Sequence, residues 1–178
     1  HLLIHGASGS GKSTLINLMT GLLRTVSGSI IFEDINYSDL TDTGLDILRS
    51  KNFGFIFQRL HLIGHLNVEQ NISIAINKNN CLCTKDLIRD LGLEKLRRKK
   101  VSDLSVGEAQ RVAIARGVVN NPKVIFADEP TSSLDNFNSS KVIDLILSQT
   151  KKTNSTLIVS THDERIKSFF SNVIELKL

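Results

Sequence analysis

"GASGSGKS", residues 6–13, lies between the apolar run "HLLIH" and the helix-patterned "TLINLMTGLL", and its reading decides the fold. The spacing is G-x-x-x-x-G-K-[ST], a phosphate-binding loop, and the flanking strand and helix patterns are the context that such a loop needs. Gly6, Gly9 and Gly11 allow tight turns, so that backbone N–H groups along Ala7, Ser8 and Ser10 can face phosphate oxygens. The helix start behind them adds partial positive charge. In this reading Lys12 reaches the β- and γ-phosphates of a nucleotide, the Ser13 hydroxyl ligates Mg²⁺, and Thr14 assists through the α/β-phosphates.

A second stretch completes the chemistry. "VIFADE", residues 124–129, is four apolar residues followed by two carboxylates. Such a run suits a buried strand whose tip carries acid groups into a cleft. Asp128 is placed to hold Mg²⁺ through water, and Glu129, one residue further, to polarise an attacking water as general base.

The rest of the chain organises around these two. Strand patterns appear at "HLLIHG", "GSIIFEDI", "FGFIFQ", "KVIFAD", "TLIVST" and "NVIELKL". Helical spacing appears at "GKSTLINLMTGLL", "DLIRDLGLEKL", "EAQRVAIARGVV" and "SSKVIDLILSQT". Alternation of the two predicts an α/β fold with a largely parallel sheet. Between residues 59 and 118 strand signals fade. The expectation is one domain over 1–178: a nucleotide-binding core from 1–58 and 119–178, with an inserted α-helical subdomain at 59–118.

Composition limits the alternatives. With 178 residues the chain can bury a real core. Its longest apolar runs, such as "VIFA" and "TLIVS", are too short to cross a bilayer, and no signal-peptide pattern opens it. Cys81 and Cys83 are too few for a disulfide framework or a zinc site, which fits a reduced cytoplasmic setting. A net charge of +4 favours an anionic partner. The densest basic run, "EKLRRKK" at 94–100, reads as the solvated end of a helix. No aromatic residues interleave with it, so no nucleic-acid partner is expected.

Six motifs in order, "GASGSGKST", Gln58 in "FIFQ", "LSVGEAQR" (104–111), "VIFADEP", "SSLD" (132–135) and "STHD" (160–163), carry a family resemblance. The chain resembles the nucleotide-binding domain of ABC transporters from end to end, which implies the P-loop NTPase fold. "LRSKNFGFIFQRLHLIGHLNVEQNI", residues 48–72, is similar to the lipoprotein-releasing and macrolide-export branch. The resemblance implies roles. Gln58 contacts Mg²⁺ or the water and senses the γ-phosphate. Asp135 couples the two sites of a dimer, and His162 is the switch histidine at the γ-phosphate. Ser105 and Gly107 grip ATP held by a second subunit, so the dimer is head-to-tail. The stretch at 48–72 receives a transmembrane permease, which sets the chain on the inner face of the membrane from the cytoplasmic side.

Two departures stand out. Family members carry further strands and an adenine-stacking aromatic before the phosphate loop, whereas this sequence starts at His1. Weaker ATP binding is therefore expected, by on the order of 1 kcal/mol of lost stacking, since Tyr37 reads as a strand-edge residue. The signature also has Val106 and Glu108 where glycine and glutamine are common. We expect Val106 at negative φ, with its side chain turned from the nucleotide. The resulting expectation is an ATP-hydrolysing subunit that drives a permease. Two alternatives remain: a soluble ABC ATPase acting on nucleic acid or in cluster assembly, and a nucleotide-gated scaffold with little turnover.

Overall fold

The computed structural model describes residues 1–77, 82–132 and 134–177, so Cys81 and Ser133 of the "SSLD" stretch lie outside the described residues. Strand β1 (Leu2–Gly6) runs into the glycine-rich loop and helix α1 (Lys12–Met19). A hairpin of β2 (Ile31–Phe32) and β3 (Ile35–Asn36) and helix α2 (Asp42–Asn52) lead to β4 (Phe53–Ile56). Three helices follow, α3 (Val68–Ser73), α4 (Thr84–Asp90) and α5 (Val106–Val118). Then come β5 (Val124–Asp128), α6 (Asn136–Thr153), β6 (Thr156–Thr161) and β7 (Val173–Leu176).

The main sheet is parallel, in the order β4-β5-β6-β1-β7. Side chains along β1 alternate between its faces, and the two cores follow from that period of two. Leu3 joins the larger core, with Ile56, Ile114, Ile125 and the apolar faces of α3 to α6, while Ile4 joins the smaller one with Ile16, Leu45, Phe53 and Phe126. Because β6 lies between β1 and β5, the carboxyl ends of all three converge, with His5 beside Thr161 and Asp128 beside Ser160. In open parallel sheets that edge is where ligands sit.

Helix α5 is clamped to the core by backbone contact. A Cβ on Gly54 of β4 would stand 2.0 Å from the Gly117 carbonyl oxygen, so only glycine lets this helix approach so closely. Arg116, next to Gly117 in the same helix, donates to the His61 and Leu60 carbonyls, each at 2.6 Å.

The structure corrects four readings of the sequence. "GSIIFEDI" is a tight hairpin rather than one strand: Glu33 turns at φ 53 between β2 and β3, and its carboxylate is held by Lys123 at 2.7 Å. Tyr37 is no strand edge. It is buried in a 3₁₀ turn (Tyr37–Asp39), its hydroxyl donating to Met19 O at 2.9 Å, and burial raises its pKa. "DLIRDLGLEKL" is broken by Gly92 at φ 66, leaving α4 and a separate 3₁₀ turn at Glu94–Leu96. The basic run at 94–100 is solvated at five of its seven positions, as expected, but it starts as a 3₁₀ turn rather than a helix end. It is tied to α3, where Val68 and Glu69 N–H groups bond Lys99 O and Arg97 O, and Arg97 pairs with Glu69 at 2.5 Å. Helix α2, which the hydrophobic pattern does not announce, is started by the Thr41 hydroxyl accepting from Gly44 N–H. Among the described residues no helix is long and apolar enough to cross a membrane.

Candidate active site

Helix α1 begins with nothing of its own over its first turn. Gly11, at φ 91, precedes it without a side-chain cap, and no acidic residue lies in that turn. Its free N–H groups and dipole open into a cavity of about 310 Å³. The cavity wall comes from three parts of the chain: Ser8, Gly9 and Gly11 to Thr14 of the loop, Gln58 after β4, and Glu129 with His162 beyond β5 and β6. The remaining loop residues support it, since Gly6 and Ala7 carbonyls accept from Lys12 Nζ at 2.8 and 2.9 Å. Ser10 sits in the same loop with its Oγ buried and unbonded.

Two interlocked groups fill the base of the cavity. Asp128 accepts from the Ser13 hydroxyl at 2.8 Å on one carboxylate oxygen and from the Ser160 hydroxyl on the other. With the Gln58 amide on the same wall, these are hard oxygen donors of the kind that Mg²⁺ takes. Among the described residues no three His, Cys, Asp or Glu cluster as a cage.

Glu129 is the centre of the second group. It is 9% exposed, and its carboxylate accepts from Thr161 Oγ1 at 2.8 Å and from the His162 backbone N–H at 3.2 Å. His162 Nδ1 lies 2.8 Å from Glu129 Oε1, so the imidazole carries its proton on Nδ1 and donates it there. Lys12 Nζ stands 3.5 Å from the same oxygen. A buried carboxylate needs this much compensation. Its backbone is held at φ 47, unusual for a non-glycine residue, by Glu129 N–H bonding Ser160 O at 2.8 Å.

Ser105 and Gly107 are elsewhere, at the start of α5. Ser105 caps that helix in a reciprocal box, accepting from Glu108 N–H at 3.3 Å while the Glu108 carboxylate accepts from Ser105 N–H at 2.7 Å and Oγ at 2.9 Å. The Ser105 backbone N–H, foremost, holds the Glu108 carboxyl below its ordinary pKa. Val106 is the first helical residue, has negative φ and is 63% exposed, as its place in the signature led us to expect. Asp135 caps α6 by accepting from Asn138 N–H at 2.9 Å. The sequence reading missed Ser160, Thr161 and Asp163. Their signal was the run of polar residues ending an apolar strand.

A phosphate cradle after β1, with an acid pair at the end of β5 two strands away, agrees with what comparison finds. The family described as ABC transporter matches residues 1–132, more than half of the sequence. The chain belongs to the ABC transporter ATP-binding family. The lipoprotein-releasing system ATP-binding protein LolD of Buchnera aphidicola is 40% identical, over 98% of this chain and 79% of that protein. HrtA of Staphylococcus aureus, named for hemin import, is 38% identical over 99% of this chain and 82% of its own length. Among solved structures the bacterial ABC transporter cassette MJ0796, described as a dimer and also bound to ADP and Pi, superposes with a TM-score of 0.86. It is 32% identical over 99% of this chain and 80% of that one. The parallel sheet and its helices are the P-loop NTPase fold of ABC cassettes, and the chain is an ABC-type ATPase that binds ATP.

Proposed function

We propose that this chain is the ATP-binding subunit of a membrane transporter, hydrolysing MgATP where two copies meet head-to-tail and so driving a permease. The observation that carries the reading is the one cavity where the free N-terminus of α1, Lys12, the Ser13–Asp128 pair and the Glu129–His162 pair converge. In this reading Lys12 and the loop N–H groups hold the phosphates, and Ser13, Asp128 and Gln58 hold the metal. Bound Mg²⁺ would neutralise charge on the β- and γ-phosphate oxygens.

The chain's own groups do the rest. Glu129 accepts a proton from water as its oxygen attacks the γ-phosphorus, and the bond to the β-phosphate breaks to release ADP. Before that, Glu129 must exchange partners. Its negative charge faces Lys12 and the His162 Nδ1–H, and a γ-phosphate would compete for both donors. Once His162 turns to the phosphate, the carboxylate keeps Thr161 and the His162 backbone N–H, and one lone pair becomes free for water. Ser105 and Gly107 would close over the phosphate of the second copy.

The groove proposed for the permease lies behind β4, where Phe55, Phe57 and His61 face Arg116 and Asn120 across about 290 Å³. The helical unit at 59–118 would carry the signature and one wall of that groove, the other wall being β4 of the core, and the chain would work at the inner face of the membrane. Glu129→Gln tests the reading. Phosphate release should fall by about 10²–10⁴-fold, while ATP binding persists and an ATP-dependent dimer accumulates in light scattering. Turnover at the parental rate would remove Glu129 from the chemistry.

A further inference from the structure

Beyond the residues that meet the nucleotide, a chain of hydrogen bonds runs from the surface to Glu129. It starts at Arg165, in the 3₁₀ segment Glu164–Phe169 that follows the His162 turn. Its guanidinium grips Asp163 as a fork, Nε to Oδ1 at 2.6 Å and Nη2 to Oδ2 at 2.7 Å, and its backbone N–H adds a third bond to Oδ1 at 3.0 Å. Paired charges in this geometry are stronger and more directional than single contacts.

Asp163 is buried, and its Oδ2 also accepts from the Thr131 hydroxyl at 3.0 Å. The Asp163 N–H donates to Thr161 Oγ1 at 3.0 Å. With that lone pair taken, the Thr161 hydroxyl proton is aimed at Glu129 Oε2. The same arginine reaches the other way. Nη2 lies 3.4 Å from the Leu134 carbonyl, next to Asp135, and after the Asp163 fork the Asp135 charge further favours the protonated guanidinium. Thr131 and Leu134 are therefore both fastened to the turn that presents His162.

We propose that Arg165 is a positioning residue for hydrolysis: it locks the His162 turn to Thr131 and Leu134 and thereby sets the Thr161 hydroxyl that orients Glu129. This rests on the role of Glu129 as base. The physical reason is the burial of Asp163. Without its fork the carboxylate keeps its charge only by drawing in water or new donors, and the turn shifts with it. Lysine cannot substitute, because an ammonium makes no planar fork.

The test compares the full chain with Arg165→Ala, Arg165→Lys and Glu129→Gln, measuring phosphate release over a range of MgATP concentrations, thermal midpoints and the equilibrium binding of ATP. In Arg165→Ala we expect kcat to fall about tenfold, on the order of 1.4 kcal/mol, with KM and ATP binding close to parental. Arg165→Lys should remain nearly as slow although it keeps the charge, and it serves alone if the alanine variant does not fold. A kcat near parental in Arg165→Lys overturns the fork, and parental kcat in Arg165→Ala overturns the whole inference. So does a loss that tracks the folded fraction at each temperature, since that marks a purely structural role. These failures are separable from that of the base. Turnover kept in Glu129→Gln strikes the base assignment, whereas turnover lost there and kept in Arg165→Ala strikes Arg165 only.

Discussion

The two helix starts to which the proposed function assigns ATP phosphates are built in opposite ways. Helix α1 opens uncapped into its cavity; Lys12 is held within the loop by Gly6 and Ala7, but the other groups around it are bonded across distant parts of the chain, Ser13 to Asp128 and Glu129 to Thr161 and His162. Helix α5 opens in a local capping box, the Glu108 N–H donating to Ser105 Oγ and the Glu108 carboxylate accepting from the Ser105 N–H and hydroxyl, with Ser105 and Val106 exposed. An empty N-terminus is a standing invitation to an anion, whereas a capped one must release its carboxylate before another anion can enter.

Glycine makes the same distinction. Gly11 needs its left-handed φ of 91 for the loop to turn at all, a demand from within the chain. Gly107 has no such need: a Cβ there would meet nothing within 4 Å. Whatever requires glycine at 107 comes from outside this chain, as a second copy's ATP would.

The largest effect should come from the uncapped side. Lys12→Ala removes the cation of the cradle and leaves Glu129 without its nearest positive neighbour. ATP affinity should drop by about 1.5–3 kcal/mol per lost charged contact, seen in equilibrium binding, and phosphate release should become undetectable. Unchanged binding would break the comparison at its root, because the first helix start would then not be the phosphate site.

Ser105→Ala should act on the other side only. The ATP-driven dimer should weaken by about 1.5–3 kcal/mol, while ATP binding to the single chain stays parental. The lost cap should also cost about 1 kcal/mol of stability, read from the unfolding midpoint. A fall in ATP binding to the isolated chain would show that both helix starts serve one site in one chain.

The smallest effect should be at Val106. Its negative φ and exposure mean that no strain is stored there, so Val106→Gly should change turnover by less than about fivefold, about 1 kcal/mol. A hundredfold gain in phosphate release would mean that valine cripples the signature, and the capped helix start would then be a degenerate one.

Legibility in the sequence followed the same divide between local and distant. The phosphate loop and the β5 strand with its acid tip could be read directly, because each is set by neighbours within a few residues: glycines at fixed offsets, and an apolar run that ends in carboxylates. The parallel α/β fold could be read too, since periods of two and of 3.6 alternate along the chain. The burial of Tyr37 and the tie of the 94–100 run to α3 could not be read, because the partners, Met19 and Glu69, lie 18 and 28 residues away. The pairing of Glu129 with Thr161 and His162, and of Asp163 with Thr131, spans 32 or 33 residues in each case. No spacing rule encodes it. It exists because β5 and β6 are neighbours with Asp128 beside Ser160, a register chosen by the packing of two cores on opposite faces of one sheet. The sequence by itself determined which residues could do the chemistry, and the tertiary structure alone decided that strand order would bring their side chains within hydrogen-bonding distance.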